Sequence, residues 1–185
     1  MTEHKYGSDY PITFRKVHPD DIEMLRDFDC GNSSINEFIR EKSLDTKGKV
    51  TYVFIDSENK KVICFCAICC TAISINATDG KNKFRTGMPT VEIDFFAVDE
   101  RYRSLPFDGE SNRYETLSSA LFSYMIKLIN EISVEHVGAT HICLYAVPKA
   151  VNFYKRCGFE EFEAYMNRDE KPYIDGCVPM FLSMA

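Results

Sequence analysis

The order of segments predicts an α+β fold, a single domain over residues 1–185 with a mixed, mostly antiparallel central sheet and helices on both faces. Three features carry that expectation. Two short helical patterns follow a first strand, the apolar run from Val62 to Ile75 is continuous enough to be covered on both faces, and a helical stripe of roughly five turns begins at Thr116. No repeat, low-complexity tract or linker divides the chain.

Ile12 to Val17 reads as a short strand, and His18-Pro19-Asp20-Asp21 then opens a helix with Ile22, Leu25 and Phe28 at helical spacing. Cys30-Gly31-Asn32 breaks it. Ser33 or Ser34 is placed to cap a second helix whose apolar face is Ile35, Phe38, Ile39 and Leu44. Tyr52 to Ile55 and Val62 to Ile75 read as antiparallel strands across the polar turn segment Ser57-Glu58-Asn59-Lys60. Residues 76 to 88, polar and containing Gly80 and Gly87, read as a surface loop. Thr90 to Val98 is a fourth strand, with Glu92 and Asp94 on one face. Leu117, Leu121, Tyr124, Met125, Leu128, Ile129 and Ile132 form the stripe of the longest helix, from Thr116 to about His136, which Gly138 ends. Ile142 to Val147 is a fifth strand and Lys149 to Arg156 a helix closed by Cys157-Gly158. Phe159 to Ala164 and Val178 to Ser183 supply the final strands.

A chain of 185 residues buries roughly 70% of its unfolded surface and needs no staple. With 22 Lys+Arg against 28 Asp+Glu the net charge is −6, which argues against nucleic-acid or membrane affinity built on bulk electrostatics and leaves only a local basic patch open. No window reaches the ~18 uninterrupted apolar residues of a membrane span, and Met-Thr-Glu-His-Lys-Tyr lacks the apolar core of a signal peptide, so a cytoplasmic location is expected. Four of the eight cysteines, Cys64, Cys66, Cys69 and Cys70, crowd into one apolar stretch and read as reduced thiols. No metal is expected: Cys66-x-x-Cys69 has no second pair, and its two members face opposite sides of a strand. His136 and His141 read as surface residues, and no His stands where it would activate Cys143 or Cys157.

Ala150 to Phe159, Ala-Val-Asn-Phe-Tyr-Lys-Arg-Cys-Gly-Phe, resembles the A-x-x-F-Y-x-x-x-G-F signature of the GNAT family of N-acetyltransferases. Val91 to Asp99 resembles that family's fourth strand, which leads into its acetyl-CoA pyrophosphate loop, and the order of elements agrees over nearly the whole chain. The loop departs from the pattern Q/R-x-x-G-x-G/A. Arg103 matches its first position, but Thr116 and Ser118 stand where the small residues belong, which implies an insertion of ten residues, about Ser104 to Arg113, with Gly109 its only glycine. Phe28-Asp29-Cys30-Gly31 and Ile35-Asn36-Glu37-Phe38-Ile39 resemble the opening of the toxin acetyltransferases that modify charged tRNA. That branch often carries Arg-Leu-Ala-Val-Asp where this chain has Phe95-Phe96-Ala97-Val98-Asp99.

The resemblance implies direct transfer of an acetyl group from acetyl-CoA to a primary amine of a small molecule or a protein. Charged tRNA is the alternative acceptor, and a domain that has kept only regulatory acyl-CoA binding is a third reading. Such a transfer needs a base for the amine, a polarised thioester carbonyl and a proton for the departing thiolate. Glu92 stands at the family's base position, with Asp94 beside it toward the acceptor, and Tyr154 matches the Tyr that protonates the thiolate. Phe153 is expected to face the core and leave Tyr154 turned to the cleft, and Tyr145 to line the acceptor pocket; Tyr10, Tyr165 and Tyr173 read as packing or rim residues. The backbone of Phe96, Ala97 and Val98 is implied to hold the coenzyme's amides. Its phosphates are expected on the N–H groups of Leu117 to Ala120, including Ser119, with the Thr116 and Ser118 hydroxyls and Arg103 or Arg113. Asp169, Glu170 and Asp175 stand on a loop that could attract a cationic acceptor. No membrane partner is implied, and the chain is expected as a monomer or homodimer.

Overall fold

The computed structural model describes residues 11–45, 47–107, 116–162 and 176–184. Its strands are β1 (Ile12–Lys16), β2 (Val50–Asp56), β3 (Lys61–Asp79), β4 (Asn82–Val98), β5 (His141–Ala146), β6 (Glu160–Glu161) and β7 (Val178–Ser183). Its helices are α1 (Ile22–Arg26), α2 (Ser33–Glu37), α3 (Leu117–Ile132) and α4 (Val151–Arg156). The sheet order is β1-β2-β3-β4-β5-β7-β6. β4 and β5 pair in parallel, and β1–β2, β2–β3, β5–β7 and β6–β7 are antiparallel. No helix among the described residues is long and apolar enough to cross a membrane.

The chain divides into two compact units, residues 1–68 with 95–126 and residues 69–94 with 127–185. The boundaries fall inside β3, β4 and α3, which is why no linker composition marks them.

In the first unit, strand alternation puts neighbouring residues of β2 into different layers. Val53 and Ile55 join Leu25, Phe28, Phe38 and Ile39 in one core, where Phe28 meets Phe65 edge-on at 5.3 Å. Phe54 turns the other way and meets Tyr124 of α3 at 5.7 Å, with Phe14 against both rings. β3 is buried on both faces over Val62–Ile68, but from Cys69 on its residues alternate, with Cys70, Ala72 and Ser74 exposed and Ile73 buried, so the two-sided cover expected for the whole run to Ile75 stops at its midpoint. His18 caps the turn before α1, and Asp21 returns a bond to the His18 N–H at 2.8 Å while gripping Arg15 of β1 at 2.5 and 2.7 Å. The cap of α2 is Asn32, whose side chain accepts from the N–H groups of Ser34 and Ile35, in place of the expected Ser33 or Ser34. A π-type turn, Phe38–Lys42, continues that helix.

In the second unit, β5 buries Ile142, Cys143, Leu144 and Ala146, and Cys143 packs with Ile73, Phe162 and Phe181. Gly138 at φ +70° closes the turn after α3, and Gly158 at φ +90° closes α4 with its N–H on the Lys155 carbonyl at 3.0 Å. Residues 76–88 are a long two-stranded hairpin joined at Gly80-Lys81, in place of the expected loop. Residues 78–87 are exposed on both faces, so the stretch shows no buried alternation that a sequence reading can detect. The strand expected over 159–164 is described only as Glu160–Glu161, and Glu163 and Ala164 lie outside the described residues.

Gly31 sits at φ +73°, and a Cβ there would run into the Glu100 carboxylate. That carboxylate is the end of an exposed, flexible side chain and can move aside, whereas the backbone angle cannot. Gly31→Ala is expected to destabilise by about 1–2 kcal/mol in chemical denaturation. Adding Glu100→Ala should recover less than about 0.5 kcal/mol; a larger recovery would make the contact, and not the angle, the cause.

Candidate functional site

The end of β4 is anchored by Asp99, which is nearly inaccessible to solvent. Its carboxylate accepts the Asp29 N–H at 3.0 Å, the Arg101 N–H at 2.9 Å, and Arg101 Nε and Nη2 at 2.8 and 2.7 Å. Arg101 reaches on to the carboxylate and carbonyl of Asp27. Burial pushes the Asp99 carboxyl up, but the Arg101 guanidinium and the two backbone N–H groups outweigh it and hold the group below its usual range. Beside it, Tyr102 donates to Asp56 at 3.1 Å, and burial together with that carboxylate pushes the phenol up to about 12.

The residues that resemble the toxin branch form the other half of this network. Asp29 Oδ1 accepts from the Gly31 N–H at 2.8 Å and from Asn36 Nδ2 at 2.7 Å, while Asn36 Oδ1 accepts the Cys30 N–H at 3.0 Å. Arg40 caps the Phe28 carbonyl at 2.7 Å. Where that branch has Arg on strand four, the Phe95 ring stacks on Phe38 at 4.1 Å, with the Lys49 ammonium 5.7 Å from its centre.

The start of α3 differs from the expected phosphate cradle. The Leu117 N–H bonds to the Leu105 carbonyl at 2.9 Å, and the N–H groups of Ser119 and Ala120 bond to the Thr116 carbonyl. The Thr116 and Ser119 hydroxyls lie 3.1 Å apart, and the Ser118 hydroxyl donates to the Arg103 carbonyl at 2.8 Å. Arg103 itself donates to the carbonyls of Cys30 at 2.6 Å and Val98 at 3.4 Å. The bonds to the Thr116 carbonyl are the helix's own first-turn bonds, and the contact from outside the helix is that of the Leu105 carbonyl on the Leu117 N–H. Gly109, Arg113 and most of the insertion lie outside the described residues, as do Tyr10, Tyr165, Tyr173, Asp169, Glu170 and Asp175.

In the second unit the parallel ladder pairs Thr90 with His141, Val91 with Ile142, Glu92 with Cys143 and Ile93 with Leu144, and ends there. β4 continues to Val98, and β5 continues through Tyr145 and Ala146 against β7. Glu92 is buried, Asp94 and Tyr145 are half-buried, and Tyr154 is 8% exposed. The expected exchange of Phe153 and Tyr154 is reversed: Tyr154 is the buried ring, edge-on to Phe159 at 5.9 Å, and Phe153 is half-exposed. Gly158 bends the chain so that the Phe159 N–H returns to the Tyr154 carbonyl at 3.1 Å, which draws the two rings together.

Glu92, Asp94, Tyr145 and Tyr154 thus belong to one unit, and Phe96, Ala97, Val98, Arg103, Thr116, Leu117, Ser118 and Ser119 to the other. The sequence reading missed Asp99 as a hub, although the residue closes the quoted fourth-strand motif. Among the described residues no group of His, Cys, Asp and Glu could hold a metal ion, and burial pushes the thiols of Cys64, Cys66, Cys30, Cys157 and Cys177 above their usual range.

No protein-family model and no curated protein matches the sequence. Solved structures do match its fold. The chain is 16% identical to a Tyr-to-Phe mutant of the toxin AtaT bound to the C-terminus of the antitoxin AtaR and acetyl-CoA, over 93% of this chain and 92% of that one, with a TM-score of 0.62. It is 17% identical to AtaT complexed with acetyl-methionyl-tRNAfMet, over 93% and 94% of the two chains, at 0.64. Against Ard1 from Thermoplasma volcanium it is 18% identical over 94% and 98%, at 0.53.

The Asp99 network sets a pH dependence. A carboxyl held low by folding stabilises the fold above its usual value of 3.8, and that stabilisation is lost as pH falls through the folded value. Asp99→Asn should cost about 2 kcal/mol at pH 7 through its charge-assisted bonds. It should also show a shallower loss of stability below pH 5 than the parent. Thermal melts across that range check both; parallel curves would mean that other carboxylates, such as Asp21 and Asp56, govern acid unfolding.

Proposed function

We propose that this chain, whose fold is that of the GNAT N-acetyltransferases, moves an acetyl group from acetyl-CoA to a primary amine by direct transfer in a ternary complex. The observation that carries the reading is the end of the β4–β5 ladder at Ile93 and Leu144 while β4 runs on to Val98. A strand that outlasts its parallel neighbour can present backbone amides to an extended ligand, which suits Phe96, Ala97 and Val98 to the coenzyme's pantetheine arm and to its carbonyl oxygen. In this reading Thr116, Leu117, Ser118, Ser119 and Arg103 receive the coenzyme's phosphates, which then displace the Leu105 carbonyl from the Leu117 N–H and the Arg103 carbonyl from the Ser118 hydroxyl.

The amine nitrogen attacks the thioester carbonyl, the carbon–sulfur bond breaks and two protons move. Glu92, buried on β4, takes the amine proton directly or through water, with Asp94 and Tyr145 positioning the acceptor. Tyr154 gives its phenolic proton to the departing thiolate. A ring enclosed by Phe153 and Phe159 has few orientations, so its hydroxyl is held in place at little cost on reaction.

A second reading concerns the acceptor. The 28–36 segment is locked to Asp99 by the residues that resemble the tRNA-modifying branch, and AtaT complexed with acetyl-methionyl-tRNAfMet matches over 93% of this chain. Both support the amino group of a charged tRNA as the acceptor.

Acetyl-CoA at 100 times its dissociation constant should stabilise the protein by about 2.7 kcal/mol, read as a thermal shift. Tyr154→Phe should keep that shift and lower turnover by ~10² to 10⁴. Glu92→Gln should lower turnover most at low pH, where the amine is most protonated. No shift at millimolar acetyl-CoA, or full turnover in Tyr154→Phe, would sink the mechanism.

A further inference from the structure

The hairpin of β3 and β4 carries a charge pattern opposite to that of the chain. The protein's net charge is −6, yet the exposed arm, residues 78–87, holds Lys81, Lys83 and Arg85 against the single acid Asp79. All three cations are exposed, and none takes part in an ion pair found among the described residues. Strand alternation puts Lys83 and Arg85 on one face, about 7 Å apart along the strand. Between them, on the opposite face, Phe84 is 49% exposed, one of the few large apolar side chains left in water. A two-stranded arm exposed on both faces over residues 78–87 contributes little to a core, so burial does not account for an aromatic at its end.

We propose that this hairpin binds the phosphodiester backbone of RNA, with Lys81, Lys83 and Arg85 on phosphates and the Phe84 ring stacked on an unpaired base. The proposal rests on the reading of charged tRNA as acceptor. Two cations on one face of a strand, with a third at its turn, can follow a polyanion, and a ring on the other face of so thin a ribbon is reached by a base of the same strand where it crosses the ribbon's edge. Local cations also explain how an acidic chain can approach tRNA: only this arm, and not the molecule as a whole, needs to be attractive.

The test uses the full chain and bulk tRNA, with binding measured by anisotropy from 50 to 200 mM salt, and phosphatidylserine vesicles as a second probe. Lys83→Ala/Arg85→Ala should weaken tRNA binding at least tenfold at 100 mM salt and reduce the slope of log affinity against log salt by about two, one for each lost phosphate contact. Phe84→Ala should weaken binding at least fivefold with the slope unchanged, as loss of stacking requires. Melting temperature and acetyl-CoA affinity should stay at parent values in both variants. If the parent binds and acetylates charged tRNA while these variants bind it equally well, the arm is not the site and the acceptor reading stands. If the parent acetylates a peptide or small amine but binds no tRNA, the acceptor reading falls and the arm proposal falls with it. Arm-dependent binding to vesicles and not to tRNA would overturn the proposal in favour of a membrane surface.

Discussion

The buried Asp99 carboxylate is the constraint on which the first unit's loop geometry depends. It stands at the point where β4 ends, and it accepts hydrogen bonds from a residue seventy positions away, Asp29, as well as from Arg101 two residues on. A carboxylate in that place is costly to bury and becomes favourable only when every lone pair is used. Arg101 and the two backbone N–H groups do so, and Arg101 extends the network to Asp27, which Lys61 also contacts. The Asp99 backbone adds its own ties: its N–H bonds to Ile63 and its carbonyl accepts from Tyr102 and Arg103. The turn that follows β4 is thereby held by side-chain chemistry.

That anchoring gives the 28–36 segment a structural meaning. Asn36 and Asp29 satisfy each other and the loop between them, and Gly31 supplies the one backbone angle at which the loop can close. A motif shared with a group of enzymes can therefore persist for the shape of a loop. The loop's likeness supports the proposed acceptor only through this shape, and the residues proposed for the chemistry, Glu92 and Tyr154, lie outside it.

The start of α3 is where this chain departs most from the pattern it resembles. Glycines in a phosphate loop let the backbone curve around an anion. Here Thr116 and Ser118 occupy those positions, the Leu105 carbonyl takes the Leu117 N–H and the Arg103 carbonyl takes the Ser118 hydroxyl. An anion arriving there competes with existing bonds, so its net gain is smaller than at an uncapped helix end. The basic hairpin is a second departure: in a chain of negative net charge its cations have their effect because they are local and exposed.

The order of strands and helices, the two-sided burial of the first half of β3 and the acetyltransferase signature around Tyr154 were legible in the sequence, because each rests on spacing within a few residues of chain. Helical and strand periods are local properties of the backbone, and Gly138 and Gly158 mark the helix ends they were expected to mark. Tertiary structure decided the rest, wherever a residue's partner lies far away in sequence. Asn32 rather than a serine caps α2 because of the angle at which the chain enters, and Tyr154 rather than Phe153 is enclosed because Gly158 brings Phe159 back against it. The capping of Leu117 by Leu105 needs two segments separated by an insertion to meet. The hairpin over 76–88 was hidden for the opposite reason: a ribbon exposed on both faces leaves no apolar alternation, and its strands are held by backbone pairing that side-chain pattern does not record.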